Sequence, residues 1–245
     1  MQDEAYGVSA GGVKIAAKIP LAGMRRVIAE HMLASHQSVP AVTIFGEFDM
    51  GALILLKRSA LDGRALSAGA KISYTHLFMK ALGVALREHP LLNATIAGDH
   101  IQVLDEINLG MAVALPEGTL VVPVIRDVDR KTVIEIAQEA AQLADAARRG
   151  ALGIKQVRGA TFTLTNVGMI SGTRWQTPLI SQSQCAILAF GEIRQTPVVR
   201  AGQVAIGDVV SASLTFDHRI VSGVPASEFI AALSNLLAEP QSWAT

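Results

Sequence analysis

Histidine is the side chain best suited to move a proton near neutral pH, and His218 lies where a rigid turn could hold it. Residues 209–216 carry apolar, β-prone side chains that predict a strand, and from Pro225 the apolar side chains recur at helical spacing. His218 is therefore expected on a strand-to-helix turn. Gly223 suits such a turn because it can adopt a positive φ, and Pro225 suits the first turn of a helix. This position makes His218 a candidate general base, with a plain end-of-strand polar residue as the alternative.

A second polar stretch ends another predicted strand. Residues 160–169 read ATFTLTNVGM, and the first half alternates as a strand does. Asn166 and Gly168 are turn-forming residues that mark the end of this strand. A Thr-Asn pair at a strand end is by itself ordinary turn chemistry, so a role for Thr165 needs support from elsewhere in the chain.

Three motifs together resemble the 2-oxoacid dehydrogenase acyltransferases, the E2 components, which belong to the chloramphenicol acetyltransferase-like superfamily. Residues 217–223 read DHRIVSG and are similar to the family's DHRxxDG signature. Residues 162–168 read FTLTNVG and are similar to F-T-(I/L)-(S/T)-N-x-G, and residues 20–32 read PLAGMRRVIAEHM and are similar to the opening helix PLxGMRxxIAxxM. The resemblance extends from Pro20 to about Pro240.

The resemblance implies a chemistry for these residues. His218 would take the proton from the thiol of coenzyme A or of dihydrolipoamide, and the Thr165 hydroxyl would hold the oxyanion, with no metal required. Asn166 and Gly168 are expected to bind substrate. In this family the base and the hydroxyl come from neighbouring subunits of a trimer, so we expect a homotrimer, or a larger cubic or icosahedral assembly of trimers, that works with E1 and E3 components.

Ser222 is the one plain departure from the family pattern, because the family usually has Asp there. The family carboxylate fixes the turn through hydrogen bonds and ion pairing, whereas serine can hydrogen-bond but cannot balance a buried arginine. Because Asn also occurs at this position within the family, we interpret Ser222 as a tolerated member of the catalytic set. The alternative is a core that folds and binds partners but transfers slowly or not at all.

Two other functions stay open beside the acyltransferase. One is a structural core that only scaffolds E1 and E3, and the other is a stand-alone acetyltransferase of small alcohols. The Thr165-Asn166 pair resembles the succinyl-transferring branch, but the residues do not determine the acyl group. The sequence shows no lipoyl domain and no subunit-binding domain, so the lipoyl group is expected on a domain absent from this chain, and the Gly-rich start favours a longer protein.

Composition limits the class of protein. The 245 residues are half hydrophobic and carry 21 Lys and Arg against 21 Asp and Glu, so nothing favours nucleic acid or an anionic membrane as a partner. No apolar run approaches the roughly 20 residues of a bilayer span, and the high hydropathy therefore predicts a buried subunit interface. The single cysteine, Cys185, excludes an intrachain disulfide, sits in an apolar run typical of a buried core thiol, and with the polar start predicts a cytoplasmic location.

The elements that must position the site are predicted from periodicity and turn residues. Residues 1–18 are expected to form a flexible arm or linker remnant, and residues 19–245 one catalytic domain of α/β (α+β) class with a mixed central sheet flanked by helices. Helices are predicted over 20–38, 51–61, 74–88 and 132–149, and a loop over 62–71. Strands are predicted over 41–50, 107–114 and 120–124, the last two separated by Pro116-Glu117-Gly118, and hairpins over 93–103 and 195–206.

Overall fold

The structure is a computed structural model, and it describes residues 7–115 and 120–244. Its helices are α1 (Gly23–Ser38), α2 (Gly51–Leu56), α3 (Asp62–Ser67), α4 (Tyr74–Glu88), α5 (Val133–Arg148), α6 (Ile154–Val157) and α7 (Gly223–Ala238). Its strands are β1 (Ala41–Asp49), β2 (Ala94–Ala97), β3 (His100–Val103), β4 (Leu109–Met111), β5 (Val113–Ala114), β6 (Leu120–Val121), β7 (Val124–Ile125), β8 (Phe162–Asn166), β9 (Ala186–Arg200) and β10 (Gln203–Asp217).

A mixed sheet organises the described part of the chain. Its strand order is β1-β10-β9-β8-β4-β7. β10 runs antiparallel to both β1 and β9, whereas β8 runs parallel to β9 and to β4. The predicted mixed central sheet flanked by helices is therefore confirmed.

One face of this sheet is apolar and carries the main core. Along β10 the residues at even positions are buried in the main hydrophobic core, and they are Val210, Ala212, Leu214 and Phe216. The α4 helix is the most deeply buried, and its Phe78 ring stacks on Phe190 of β9 with the ring centroids 4.4 Å apart. Since burying one such side chain contributes about 1.5–3 kcal/mol, the α4 contact fixes the helix firmly to the sheet.

The opposite face of the sheet is polar although it is also covered. The Thr43 and Thr215 hydroxyls lie 2.8 Å apart across β1 and β10, and the Thr163 hydroxyl donates to Gln184 Oε1 at 2.7 Å. Buried hydroxyls are tolerated only when they find hydrogen-bond partners, and these do. A polar, covered sheet face is where a reaction with charged intermediates could be accommodated.

Most predicted elements are confirmed, and the differences have physical causes. Both predicted hairpins form, the first turning at Gly98 and the second at Ala201-Gly202. The predicted loop 62–71 is wrong up to Ser67, because the helix started at Gly51 continues through a π-helical turn so that Leu61 and Ala65 are buried. The turn at Pro116-Glu117-Gly118 lies outside the described residues.

The strand-to-helix turn around His218 forms, with two corrections. The strand is longer than predicted and occupies all of β10. The helix begins at Gly223, which has no positive φ and is the first residue of α7, with Pro225 in its first turn. Of the predicted arm, residues 1–6 lie outside the described residues, and Val8 pairs with Lys14 in an isolated bridge. Within residues 7–115 and 120–244, no helix combines the length and the apolar character needed to cross a bilayer.

Candidate active site

Thr165 lies at the C-terminal end of β8, on the polar face of the sheet. Leu164 before it points into the core, and successive side chains of a strand point to opposite faces, so Thr165 points away from the core. Its register partner on β9 is Ala189, which in turn pairs with Ser213 of β10. The Thr165 side chain is half-buried and therefore accessible to a substrate that lies along this face.

Asn166, the next residue, is anchored on the other face of the sheet. Its Nδ2 donates to Thr75 Oγ1 in the first turn of α4 at 3.1 Å, and its Oδ1 accepts from the backbone N–H of Gly168 at 2.8 Å. The second bond closes an Asx turn, the local geometry that asparagine favours at a strand end. Both functional atoms of the Asn166 amide are thus engaged within the protein.

Gly168 is needed for close packing of the turn after β8. A Cβ added to Gly168 would overlap the carbonyl oxygen of Gly191 on β9, and a Cβ on Gly191 would overlap the backbone at Thr173 and Arg174. Only glycine permits such a close approach of two backbones. The structure therefore gives Gly168 a packing role, and substrate binding by Asn166 and Gly168 stays a prediction.

His218 lies on an exposed turn directly after β10. Its backbone N–H donates to the carbonyl of Pro40 at 3.1 Å, which ties the turn to the segment between α1 and β1. Its ring packs on Phe216, with the ring centroids 5.9 Å apart. The backbone of the candidate base is fixed, and its imidazole is exposed in the isolated protomer.

The residues on either side of His218 hold the turn together. Asp217 is buried, and its carboxylate accepts from the backbone N–H of Arg219 and from the Arg219 guanidinium, the shortest of these bonds being 2.6 Å. This bonding raises the pKa of the Arg219 guanidinium. The backbone N–H of Asp217 donates to the carbonyl of Cys185, a buried thiol whose pKa burial and the nearby Asp217 carboxylate raise to about 12. Cys185 is therefore no nucleophile.

Ser222 is exposed in the protomer and is the N-cap of α7. Its carbonyl accepts from the N–H of Ala226, but its hydroxyl makes no capping hydrogen bond. Serine cannot balance a buried arginine, but the neighbouring Arg219 is partly exposed and already pairs with Asp217. The role of Ser222 in the catalytic set stays a prediction.

The structure does not bring His218 and Thr165 together within one protomer. Thr165 is level with Ser213 across the sheet, and His218 lies five residues further along the direction in which β10 runs. At the usual rise per residue and strand spacing, this places the two residues about 16 Å apart along the strands and about 10 Å apart across them. A base and an oxyanion donor must act on one reacting group within a few ångströms. A single protomer therefore does not place the two predicted groups around one reacting carbon.

Helix α1 presents apolar side chains on the surface of the protomer. Helix α1 is exposed on most of its circumference, and Met24, Val27 and Leu33 are each more than half exposed. It is tied to the rest of the protomer near its end, where Ser35 donates to the carbonyl of Ile180. Exposed apolar patches of this kind mark interaction sites. No cluster of three or more potential metal ligands occurs among residues 7–115 and 120–244.

Sequence analysis did not identify Thr75, Asp217 or Arg219 as parts of the site. Thr75 is separated from Asn166 by 91 positions, so no local signal could reveal their hydrogen bond. Asp217 and Arg219 belong to the same short motif as His218, and their opposite charges on either side of the histidine are the local signal from which an ion pair could have been predicted. His76, beside Thr75, is half-buried, which lowers its pKa to about 4.

Comparison with known proteins gives consistent matches over nearly the whole chain. The family described as 2-oxoacid dehydrogenases acyltransferase (catalytic domain) matches residues 14–245. The acetyltransferase component of the acetoin cleaving system of Bacillus subtilis is 36% identical over 225 residues, which are 92% of this chain and 56% of that protein. The succinyltransferase component of the 2-oxoglutarate dehydrogenase complex of Haemophilus influenzae is 31% identical over 223 residues, which are 91% and 54%. The chain thus spans about half the length of these curated relatives.

Solved structures match equally well. The cubic core of the pyruvate dehydrogenase multienzyme complex and the dihydrolipoamide acetyltransferase of Azotobacter vinelandii each superpose with a TM-score of 0.89 at 33% identity, over 95% of this chain and 95% of theirs. The Azotobacter structure was used to investigate a serine, a histidine and an asparagine in the catalytic mechanism. A chloramphenicol acetyltransferase at 18% identity and a TM-score of 0.50, over 89% of this chain and 98% of its own, shows the shared fold alone. The predicted fold class is confirmed.

Proposed function

Because the chain belongs to the 2-oxoacid dehydrogenase acyltransferase family, we propose that it transfers an acyl group between a dihydrolipoyl thiol and coenzyme A at a site shared by two protomers. The observation that carries this proposal is the separation of His218 and Thr165 within one protomer, five residues along β10 and two strands across the sheet by the register of β8, β9 and β10. In a closed ring of identical protomers, the surface that carries His218 on one protomer can meet the surface that carries Thr165 on the next. A homotrimer is the smallest assembly that the family resemblance supports.

The chemistry needs only the groups that this chain supplies. The His218 imidazole takes the proton of the attacking thiol, and the thiolate adds to the thioester carbonyl of the other substrate. A thiol pKa near 8.5 and an imidazole pKa near 6.5 leave a mismatch small enough for general base catalysis. The Thr165 hydroxyl donates to the tetrahedral oxyanion, the carbon–sulfur bond of the leaving thiol breaks, and the imidazolium returns its proton to that sulfur. Electrons and protons balance without an oxidant or a metal.

The Azotobacter acetyltransferase supports this assignment of roles. Its asparagine lies four positions after its histidine, and Ser222 lies four positions after His218. Its serine carries the same functional group as Thr165. We propose Ser222 as the residue that ends the base-bearing turn at the N-cap position of α7, with no charge of its own in the reaction.

The relatives suggest which partners and which acyl donors to propose for this chain. Because relatives of this chain are roughly twice its length, we propose that the lipoyl group arrives on a separate domain and that E1 and E3 components are the partners of the assembled core. Acetyltransferases and succinyltransferases both occur among these relatives, so acetyl-CoA and succinyl-CoA are the two acyl donors to compare.

The shared site is tested by complementation between two inactive chains. His218→Ala and Thr165→Ala chains are co-expressed with different affinity tags, and tandem purification selects trimers that contain both. In every mixed trimer one of the three sites combines an intact His218 with an intact Thr165, so we expect about a third of wild-type acyl transfer to free dihydrolipoamide. Each variant alone is expected to be inactive or nearly so, and light scattering should give three times the chain mass of 25.8 kDa or a multiple of that trimer mass.

Two outcomes contradict the proposal. Mixed trimers no more active than either parent would show that the two residues do not share a site. Wild-type protein that assembles but transfers neither acetyl nor succinyl groups would favour the scaffold function, and acetylation of a small alcohol without dihydrolipoamide would favour the stand-alone acetyltransferase.

A further inference from the structure

The side chain of Asn166 lies on the opposite side of β8 from the Thr165 hydroxyl. Thr165 points to the polar face, and Asn166 reaches Thr75 on the face where α4 packs. A substrate whose thioester carbonyl meets Thr165 cannot also contact the Asn166 amide through the strand. Any effect of Asn166 on catalysis must therefore act through the position of Thr165.

Three hydrogen bonds hold the end of β8 at this point, and two of them are made by the Asn166 amide. The Asn166 amide bonds to Thr75, the N–H of Val167 donates to the carbonyl of Phe190 at 3.1 Å, and the Asx turn bonds Asn166 to Gly168. Phe190 is the register partner of Asn166 and stacks on Phe78 of α4. The end of β8 is thus joined to the best-buried helix of the protein.

Of these ties, only the Asn166 side chain links β8 directly to α4 by a hydrogen bond. Without this side chain, only the backbone bond from Val167 to Phe190 would hold the end of β8, and its last residues could shift relative to α4. A donor displaced by about 1 Å from an oxyanion can cost about a hundredfold in rate. A rigid anchor behind Thr165 is therefore worth as much to catalysis as a contact with the substrate.

We propose that Asn166 is a positioning residue that holds the Thr165 hydroxyl in place through Thr75, rather than a substrate-binding residue. This inference rests on the proposed function, because it presumes that Thr165 is the oxyanion donor. It extends that function to Thr75, which lies 90 positions before Thr165 and belongs to none of the sequence motifs.

The test is a double-mutant cycle on the assembled protein, with kcat and KM measured for acyl transfer to dihydrolipoamide. Asn166→Ala should lower kcat about tenfold to a hundredfold with little change in KM. In the Thr165→Ala background the same substitution should have almost no further effect on kcat, because the hydroxyl that it positions is already gone. Losses that multiply in the double variant would overturn the inference, as would an Asn166→Ala variant that changes KM alone.

Conservative and control variants separate positioning from general stability. Asn166→Asp keeps an acceptor for the Gly168 N–H and can accept from the Thr75 hydroxyl, so it should regain most of kcat. Thr75→Val removes the same hydrogen bond from the other end and keeps the inference testable if Asn166→Ala fails to fold. Asn93→Ala is the matched control, because Asn93 is a buried asparagine that donates to Leu104 and Glu106 carbonyls at 2.9 Å. It should lower Tm and leave kcat unchanged.

Failure of the inference and failure of the proposed function give different results. If Thr165→Ala retains wild-type activity, the oxyanion role itself is wrong. If Thr165→Ala loses activity but Asn166→Ala and Thr75→Val behave like Asn93→Ala, the proposed function stands and Asn166 has only a structural role.

Discussion

The Asp217 carboxylate and the Arg219 guanidinium pair with each other across a single residue, and that residue is His218. Arg219 donates to Asp217 through its backbone N–H and through Nε and a terminal nitrogen, at 2.6–3.1 Å. The two partners differ in exposure, since the Asp217 side chain is 3% exposed and the Arg219 side chain 44% exposed. The ion pair therefore fixes the position of both neighbours of the candidate base, and the imidazole between them stays exposed to solvent.

This difference in exposure predicts unequal effects of removing either partner. Arg219→Met leaves a buried carboxylate with only a backbone donor, and an uncompensated buried charge costs about 3–5 kcal/mol. Asp217→Asn leaves a guanidinium that can turn into solvent, so we expect a loss of about 1–2 kcal/mol. Urea unfolding of both variants at one protein concentration measures the two free energies. Equal losses of unfolding free energy, or a larger loss for Asp217→Asn, would show that the Asp217 carboxylate does not need the Arg219 guanidinium more than the guanidinium needs the carboxylate.

His76 should make the folded protein sensitive to mild acid. It is half-buried at the start of α4, its Nδ1 accepts from the backbone N–H of Ser73 at 3.1 Å, and this partial burial lowers its pKa to about 4. The unfolded chain binds a proton at His76 below about pH 6.5, whereas the folded protein does so only near pH 4. Between these pH values the unfolded chain holds more protons, so the free energy of unfolding falls as the pH falls, by up to about 3 kcal/mol in total.

His76→Gln is the variant that isolates this contribution. Glutamine three residues after a serine N-cap can accept the same backbone N–H, as in a capping box, and it does not titrate. Between pH 7 and pH 5 the wild-type protein should lose about 2 kcal/mol more than His76→Gln does. The same substitution at the exposed His31 controls for the removal of an imidazole. Parallel stability curves for wild type and His76→Gln would contradict the burial of a neutral His76.

Much of the region around His218 could be predicted from sequence because its signals are local. The apolar strand, the polar turn and Pro225 in the first turn of the next helix all lie within about twenty residues of one another. The turns of the two hairpins are local in the same sense, with Gly98 and Gly202 at positive φ. Local propensity and tertiary packing agree at these places, so the sequence pattern is sufficient.

Where propensity and packing disagree, the sequence was misleading. Residues 62–67 contain Gly63 and read as a loop, but the buried positions of Leu61 and Ala65 keep the backbone helical there. From sequence, the glycine at position 168 is explained as a turn residue. The structure shows that glycine is needed there because the backbone of Gly191 on β9 leaves no room for a Cβ. The distance between His218 and Thr165 depends on the order and direction of the strands, and neither can be predicted from a local motif.

Cys185 should be chemically silent in the folded protein. Burial and the Asp217 carboxylate raise its pKa to about 12, and only the thiolate reacts with alkylating reagents. At pH 8 iodoacetamide should therefore label the unfolded chain but not the assembled protein. Cys185→Ala should keep kcat, because the contact of this residue with Asp217 is made by its backbone carbonyl. Rapid labelling accompanied by loss of acyl transfer would contradict the assignment of Cys185 to the core.

Ser222 tests whether the departure from the family motif has a chemical cost. Ser222 is exposed at the N-cap of α7, and its hydroxyl makes no capping bond. Arg219 already has Asp217 as its counter-ion, so a carboxylate at position 222 has no unpaired arginine to neutralise in the protomer. Ser222→Asp should instead act on the helix, because Asp is as good an N-cap as Ser and its charge interacts favourably with the positive end of the helix dipole.

We therefore expect Ser222→Asp to raise the free energy of unfolding by about 0.3–1 kcal/mol at pH 7 and to leave acyl transfer within about threefold of wild type. The gain in stability should disappear as the pH falls below about 4, where an ordinary Asp becomes protonated. Ser222→Ala is the matched control and should cost little, because no capping bond is lost. A large rise in activity would show that a carboxylate at this position completes the site across the protomer interface. A clear loss of stability would show that position 222 is buried in the assembly beside groups that reject a charge.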